Sequence, residues 1–356
     1  MKILLLSRYS RLGASSRIRF YQYLPYLKEH GIDVTVAPLL KDKYIDDLYA
    51  GRHKNLWAIF RAYLQRLDYL LKSRHFDLLW IEKELFPWLP ALGETMLTHL
   101  GIPYVVDYDD AVFHSYDMHT NGVLRTFFCG KIDAVMRHAS LVIVGNSYLA
   151  DRAWRVGAKQ VEYLPTAIDL DRYCATPQTE NAIFTIGWIG SPTTVKYLNL
   201  VRPALFEVCN GGNTRLMVVG SGNVELDGVP LVKRGWAEDT EVANIQSFDV
   251  GIMPLPDNPW EHGKCGYKLI QYMACGQPVV ASPVGVNKQI IEDGVNGFLA
   301  ATMADWVCAL NALRDNYDLR GRMGRVGRKK VESEYCLQVT APRLVSLLGS
   351  VVNRLR

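Results

Sequence analysis

Two groups of side chains in this sequence have the types and spacing to do chemistry. Lys264, Lys268 and Gln271 stand at i, i+4 and i+7 in a stretch without Pro that runs up to Gly276. A helix over 264–275 puts all three on one polar face and leaves Leu269, Ile270 and Met273 for a core. Lys196 follows the small-residue loop Gly190-Ser191-Pro192-Thr193-Thr194, with a helix expected from about Val195. A small-residue loop, a helix N-terminus and lysines together neutralise phosphate charge. Their chemistry is stabilisation of a diphosphate on which charge develops as a bond breaks. The second group is acidic: Glu82 and the run Asp107-Tyr108-Asp109-Asp110 close two expected strands. Asp109 or Asp110 is the candidate for orienting or deprotonating a second substrate, with a pKa raised if buried. Clustered carboxylates also suit a metal, but neither Cys nor spaced His accompanies them, and no metal is expected.

The elements that must position these groups are short apolar runs alternating with helical stretches. Residues 3–6, 34–36, 76–82, 103–107 and 141–144 read as buried parallel strands, and 182–189, 216–219, 248–255 and 279–282, with a strand and loop over 232–236, repeat the pattern. Ligands of open α/β sheets gather at the C-terminal ends of such strands, where both groups fall. The loop holding Gly13 lacks the full dinucleotide fingerprint, so no nicotinamide or flavin is expected; its small residues suit a phosphate or sugar edge. A chain of 356 residues exceeds one ordinary core. The reading is α/β with two Rossmann-like domains, 1–168 and 182–335, a polar Pro-containing linker over 169–181, and a last helix over 336–356.

Composition, at 49% hydrophobic and 21% charged residues, is that of a globular enzyme rather than a disordered chain. The net charge of +4 hides an asymmetry, since residues 1–75 hold 14 Lys and Arg against 6 Asp and Glu. Within that segment, 52–75 spaces Leu56, Ile59, Phe60, Tyr63, Leu67, Leu70 and Leu71 helically among basic residues. Core packing is the ordinary reading of such a helix. The alternative is a helix lying on an anionic membrane surface, with Trp57 at the interface. The opening apolar run is expected to be a strand rather than a signal peptide or a span. Seven cysteines without metal-ligand spacing point to free thiols in the cytoplasm. The basic run 320–330 reads as a solvated helix without the aromatic interleaving that nucleic acid would ask for.

Met273-Ala274-Cys275-Gly276-Gln277-Pro278-Val279-Val280-Ala281-Ser282 resembles the donor-binding segment of retaining glycosyltransferases of family 4. The likeness extends to the Gly13 loop, to 163–169 and to the Gly190 loop. It implies the GT-B architecture, in which two Rossmann-like domains with parallel sheets face each other across a deep cleft. It also implies transfer of a sugar, with retention and without a metal or other cofactor, from a nucleotide diphosphate sugar to an acceptor hydroxyl. The acceptor would be a saccharide or lipid-linked molecule held by the first domain, in cell-surface polysaccharide, glycan or glycolipid synthesis. Lys196 matches the family's lysine, and Ser191 stands where its arginine is usual, so Lys264 or Lys268 would supply the missing charge. Gly263 and Gln271 occupy the positions of the family's paired glutamates. Gln271 would then meet a ribose hydroxyl through its amide, and Glu261 or His262 the sugar, while Arg234 lies where the base would be contacted. Asp109 falls where the family carries a sugar-contacting histidine, with His114 as its substitute. The resemblance is also compatible with a non-catalytic sugar-nucleotide or partner-binding protein, or with a nucleotide-sugar epimerase. No nucleic-acid partner is expected, and a peripheral position at the inner membrane face goes with the basic first domain.

Overall fold

In the computed structural model, residues 1–53, 55–176 and 181–354 are described. Part of the expected linker and the last two residues of the expected final helix lie outside them. The chain divides into two compact units. The first comprises Met1–Thr166, Gly263–Cys265 and Thr340–Arg356, and the second Ala167–His262 and Gly266–Val339.

The first unit is built on a six-stranded sheet: β1 (Lys2–Leu6), β2 (Asp33–Val36), β3 (Leu78–Glu82), β4 (Tyr104–Tyr108), β5 (Leu141–Val144) and β6 (Val161–Tyr163). Their order is β2-β1-β3-β4-β5-β6 and every pairing is parallel. β1 and β3 to β5 are almost wholly inaccessible along their length, as uninterrupted Leu, Val and Ile runs require when helices cover both faces. The strand order reverses between β1 and β3, so ligand chemistry is expected at the ends of those two strands.

The second unit repeats the architecture with β7 (Phe184–Ile189), β8 (Thr214–Val219), β9 (Leu231–Arg234), β10 (Val250–Met253), β11 (Val279–Ala281) and β12 (Gly297–Leu299). All pairings are parallel in the order β12-β11-β10-β7-β8-β9. Counted from β7 this is the 3-2-1-4-5-6 arrangement, and the reversal falls between β7 and β10.

Four expectations about elements are corrected. The helix placed over 264–275 spans only Tyr267–Ala274, because Gly266 takes a left-handed φ of 66° and starts it there. Lys264 therefore lies in the preceding loop and packs with the first unit. The helix expected after the Gly190 loop is a 3-10 turn, Val195–Leu200, followed by an α-helix over Arg202–Asn210. The segment 169–176, expected to be linker, belongs to the second unit and buries Tyr173. Finally, the helix Leu56–Leu71 buries only part of its apolar stripe: Ile59, Tyr63 and Leu70 are half-buried, the last two against the core, whereas Leu56, Phe60, Leu67 and Leu71, with Trp57 and Leu64 beside them, are 47 to 82% exposed. Its buried anchor is Arg66, whose Nη2 donates to the carbonyls of Ser7 and Ala37. Burial pulls the Arg66 guanidinium down to about 10.

Candidate functional site

At the strand-order reversal of the second unit, β7 ends in Trp188 and Ile189 and turns at Gly190. A side chain at Gly190 has no room, since its Cβ would come within 2.5 Å of the Trp188 ring. The loop is then closed on itself by the Ser191 N–H donating to Thr194 Oγ1 at 3.3 Å. On the adjacent Tyr267–Ala274 helix, Tyr272 is fully buried and lies where a side chain on Gly251 of β10 would otherwise be. Its hydroxyl accepts from the Ile189 N–H at 3.0 Å. That contact fixes the helix against β7, and Lys268, one turn earlier on the same face, is set with Nζ 5.3 Å from the centroid of the Trp188 ring. Lys196 lies 5.6 Å over the Tyr197 ring, and the Tyr197 hydroxyl donates to Glu261 Oε1 at 2.5 Å. Packing thus links Gly190 and Lys268 through Trp188, and Lys196 and Glu261 through Tyr197.

Gln271 is buried beside this set. Its amide donates to the Tyr173 hydroxyl at 3.0 Å and to Glu241 Oε1 at 2.9 Å. Both N–H groups are spent, so Gln271 has only its carbonyl oxygen to offer a ligand. Glu241, which sequence reasoning missed, also accepts from Trp236 Nε1, Arg172 and the Tyr173 hydroxyl. Arg234 is exposed at the end of β9 and donates to Asn244 Oδ1 at 2.8 Å. Ser191 is partly exposed in its loop. His262 Nε2 is 2.6 Å from Asp257 Oδ1.

In the first unit, the turn after β1 and the helix Ala14–Arg19 meet the ends of β3 and β4. Gly13 is required by Tyr9, whose Cβ is 2.4 Å from where a side chain at Gly13 would begin. Ser15 Oγ then donates to Asp109 Oδ2 at 2.5 Å, Ser16 Oγ to Glu82 Oε2 at 2.6 Å, and Arg19 grips Asp107 with two bonds of 2.8 and 3.0 Å. Glu82 Oε1 is buried without a hydrogen-bond partner among the described residues.

Lys83, like Glu241, carries no sequence signal of its role. It holds a left-handed φ of 65°, uncommon for a lysine, and places Nζ 2.8 Å from Asp109 Oδ1 and 3.9 Å from Asp110 Oδ2. Lys264 Nζ reaches Asp110 Oδ1 at 3.4 Å, and the Cys265 thiol donates to the Asp109 carbonyl at 3.1 Å. Burial pushes the Asp109 carboxyl up, but the Lys83 charge and the hydrogen bonds from Lys83 and Ser15 outweigh it, leaving Asp109 below the usual carboxylate range. The raised pKa expected for a base at this position is therefore corrected. His114 is not free to stand in for a sugar-contacting histidine, because Nδ1 faces Asp117 and Nε2 faces the Tyr148 hydroxyl, each at 2.8 Å. Gly263 cannot carry a carboxylate in this packing: its Cβ would lie 2.5 Å from the Ala111 backbone nitrogen. Among the described residues no group of three or more His, Cys, Asp or Glu is placed to hold a metal ion.

The two-unit α/β fold is that of the GT-B glycosyltransferases, shared over nearly the whole chain. Sucrose-phosphate synthase from Thermosynechococcus elongatus superposes with a TM-score of 0.76 at 15% identity, covering 99% of this chain and 100% of that one. Anabaena HepE in complex with UDP-glucose gives 0.71 at 15% identity, covering 98% and 100%. Residues 182–316, which hold the Gly190 loop, Lys196, Glu261 and Lys268, match the family Glycosyl transferases group 1. A curated relative, D-inositol 3-phosphate glycosyltransferase of Arthrobacter sp. (strain FB24), is 39% identical over 83 residues, 23% of this chain and 18% of its own length. The chain thus matches about a fifth of the length of that relative.

Proposed function

We propose that this protein is a glycosyltransferase of hexosyltransferase type, moving a sugar from a nucleotide diphosphate sugar to an acceptor hydroxyl with retention and without a metal. The observation that carries the reading is the coincidence of the group 1 match with the loop, lysines and Glu261 at the strand-order reversal of the second unit. Lys196, Lys268 and the Gly190–Thr194 backbone hold the diphosphate and take up its charge as the glycosidic bond breaks. The short 3-10 turn after the loop gives little dipole, so the lysines do most of this. Glu261 faces the sugar, the Gln271 carbonyl a ribose hydroxyl, and Arg234 the base. In the first unit Asp110 orients the acceptor, and Asp109, held by Lys83, is an ionised contact rather than a titrating base.

The test is incubation with UDP- and GDP-linked sugars and a saccharide or lipid-linked acceptor, reading free nucleotide diphosphate and the anomer of the product. Acceptor-dependent release with retained configuration, unchanged by EDTA, is expected. Absence of release with every donor and acceptor tried, alongside specific donor binding, would instead establish a non-catalytic sugar-nucleotide-binding protein. The closed space at Gly263 and the neutral Gln271 favour that second reading.

The acceptor side includes a lipid surface in this proposal. The exposed stripe of the Leu56–Leu71 helix is flanked by exposed Arg52, Arg61, Lys72 and Arg74, a complement to anionic headgroups. Among the described residues no helix is long and apolar enough to cross a membrane. Vesicles of phosphatidylglycerol should co-sediment with the protein and shift Trp57 fluorescence to the blue, and phosphatidylcholine vesicles should not; equal behaviour with both would remove the lipid surface from the proposal. Seven free cysteines suit a cytoplasmic location.

A further inference from the structure

The Tyr317–Glu334 helix carries glycines at 321, 324 and 327. Each costs roughly 0.5–1 kcal/mol relative to Ala inside a helix, so each asks for a reason. Two have one in packing: a Cβ at Gly324 would sit 1.9 Å from the Gly276 carbonyl oxygen, and one at Gly327 would sit 2.9 Å from Met273 Cγ. Gly321 has no backbone against it. An added Cβ there would meet only Arg325 Nη1, at 3.3 Å.

What lies over Gly321 is a cavity of about 770 Å³, lined also by Tyr317, Arg322, Arg325, Lys329 and two carboxylates, Asp318 and Glu332. Arg328, at its edge, is committed to Glu332 and to the carbonyls of Tyr173 and Ala274. Arg322, Arg325 and Lys329, spaced at i, i+3 and i+7 on one helix face, are exposed and in no ion pair among the described residues. With Glu332 held by Arg328, three cations face the single remaining carboxylate, Asp318, and the surplus positive charge around the hollow favours an anion. Guanidinium forks recognise phosphoryl oxygens in pairs, and lysine adds a point charge.

We propose that this cavity is a second anion site, distinct from the Gly190–Lys268 set, that takes a ligand bearing a diphosphate or two phosphate groups. Arg322 and Arg325 grip the phosphoryl oxygens, Lys329 adds charge, and the missing side chain at Gly321 leaves the room in which Arg325 lies along the helix. The proposal does not depend on transferase activity. Its ligand chemistry has two sources, a free phosphorylated metabolite or the phosphates of a lipid surface, and the test separates them.

Inorganic pyrophosphate is titrated calorimetrically into Lys196→Ala/Lys268→Ala protein, in which the other anion set is disabled. Binding is expected, and it should weaken at least tenfold when Arg322→Ala/Arg325→Ala is added. Affinity equal within twofold, or no binding in the parent, overturns the proposal. If the alanine pair lowers the melting temperature, Arg322→Lys/Arg325→Lys keeps the charge and removes the forks, and a weakening of at least threefold is expected of it. Phosphatidylglycerol vesicles form the second arm. A loss of co-sedimentation on Arg322→Ala/Arg325→Ala assigns the site to lipid phosphate, and unchanged co-sedimentation with lost pyrophosphate binding assigns it to a free metabolite.

Discussion

Lys268 owes its position to three neighbours with no anion chemistry of their own: Gly251 admits Tyr272, Tyr272 holds Ile189, and Trp188 lies under the ammonium. The cation–π contact is worth about 0.5–1 kcal/mol at a partly exposed site, whereas removing a preorganised charge from a developing anion lowers kcat by about 10²–10³. Lys268→Ala should therefore reduce kcat by roughly that factor while leaving the urea midpoint little changed; a rate within threefold of the parent would refute the assignment. Asp109 gives the opposite profile. With Lys83 beside it, Asp109→Asn leaves a buried ammonium whose nearest remaining ion-pair partner among the described residues is Asp110 at 3.9 Å, and should cost about 3–5 kcal/mol. Because the folded pKa lies below 3.8, the contribution of Asp109 is present above that pH and is lost as pH falls through the lower folded value. The stability gap between parent and Asp109→Asn should thus be constant from pH 5 to 8 and narrow below pH 4; a gap that widens on acidification would contradict the ion pair. At this scale residue type was legible and partner was not. The Lys268 and Asp109 side chains could be picked from the sequence, but Lys83 could not, since a left-handed lysine looks like any residue after a strand.

Helix periodicity shows that one face is apolar and says nothing about which way it points. That is why the Leu56–Leu71 helix, read first as core, packs Tyr63 and Leu70 on the core around a buried Arg66 yet leaves Leu56, Phe60, Leu67 and Leu71 exposed. The same limit explains Lys264. Its spacing from Lys268 fits one helix, yet a single left-handed glycine at 266 detaches it and sends it to Asp110. Gly276 was the reverse case, because a glycine closing a helix is a local signal, and it does take a φ of 78° there. Its consequence is not local: the Gly276 carbonyl is the surface on which Gly324 rests. Gly324→Ala should consequently destabilise the protein by more than about 2 kcal/mol despite the better helix propensity of alanine. Gly321→Ala, which meets only a flexible guanidinium, should be neutral or stabilising by up to about 1 kcal/mol. Equal effects at both positions in urea denaturation would show that close helix approach is not what the glycines provide.

The whole molecule carries two sheets most of whose strands were legible from their apolar runs, while the short edge strand β6 and the order of the strands were not. Both units begin strand, turn, helix, strand, but the third strand of the first unit returns to the open side of β1, whereas that of the second continues outward past β8. That choice rests on which face each crossover helix packs, a tertiary matter, and it fixes where each reversal lies: between β1 and β3, and between β7 and β10. A ligand that uses the second reversal should protect its neighbourhood and not the other. Ligand bound at 100 times its Kd stabilises the segments it touches by about 2.7 kcal/mol, which slows exchange through local opening about 100-fold. With UDP in that excess, amide exchange should slow across 190–200 and 266–274, which hold Lys196 and Lys268. The segments 8–16 and 107–114 should respond only when an acceptor is added as well. Protection by UDP confined to 8–16 and 107–114 would move the nucleotide to the first unit, and with it every role given to Lys196, Glu261 and Lys268.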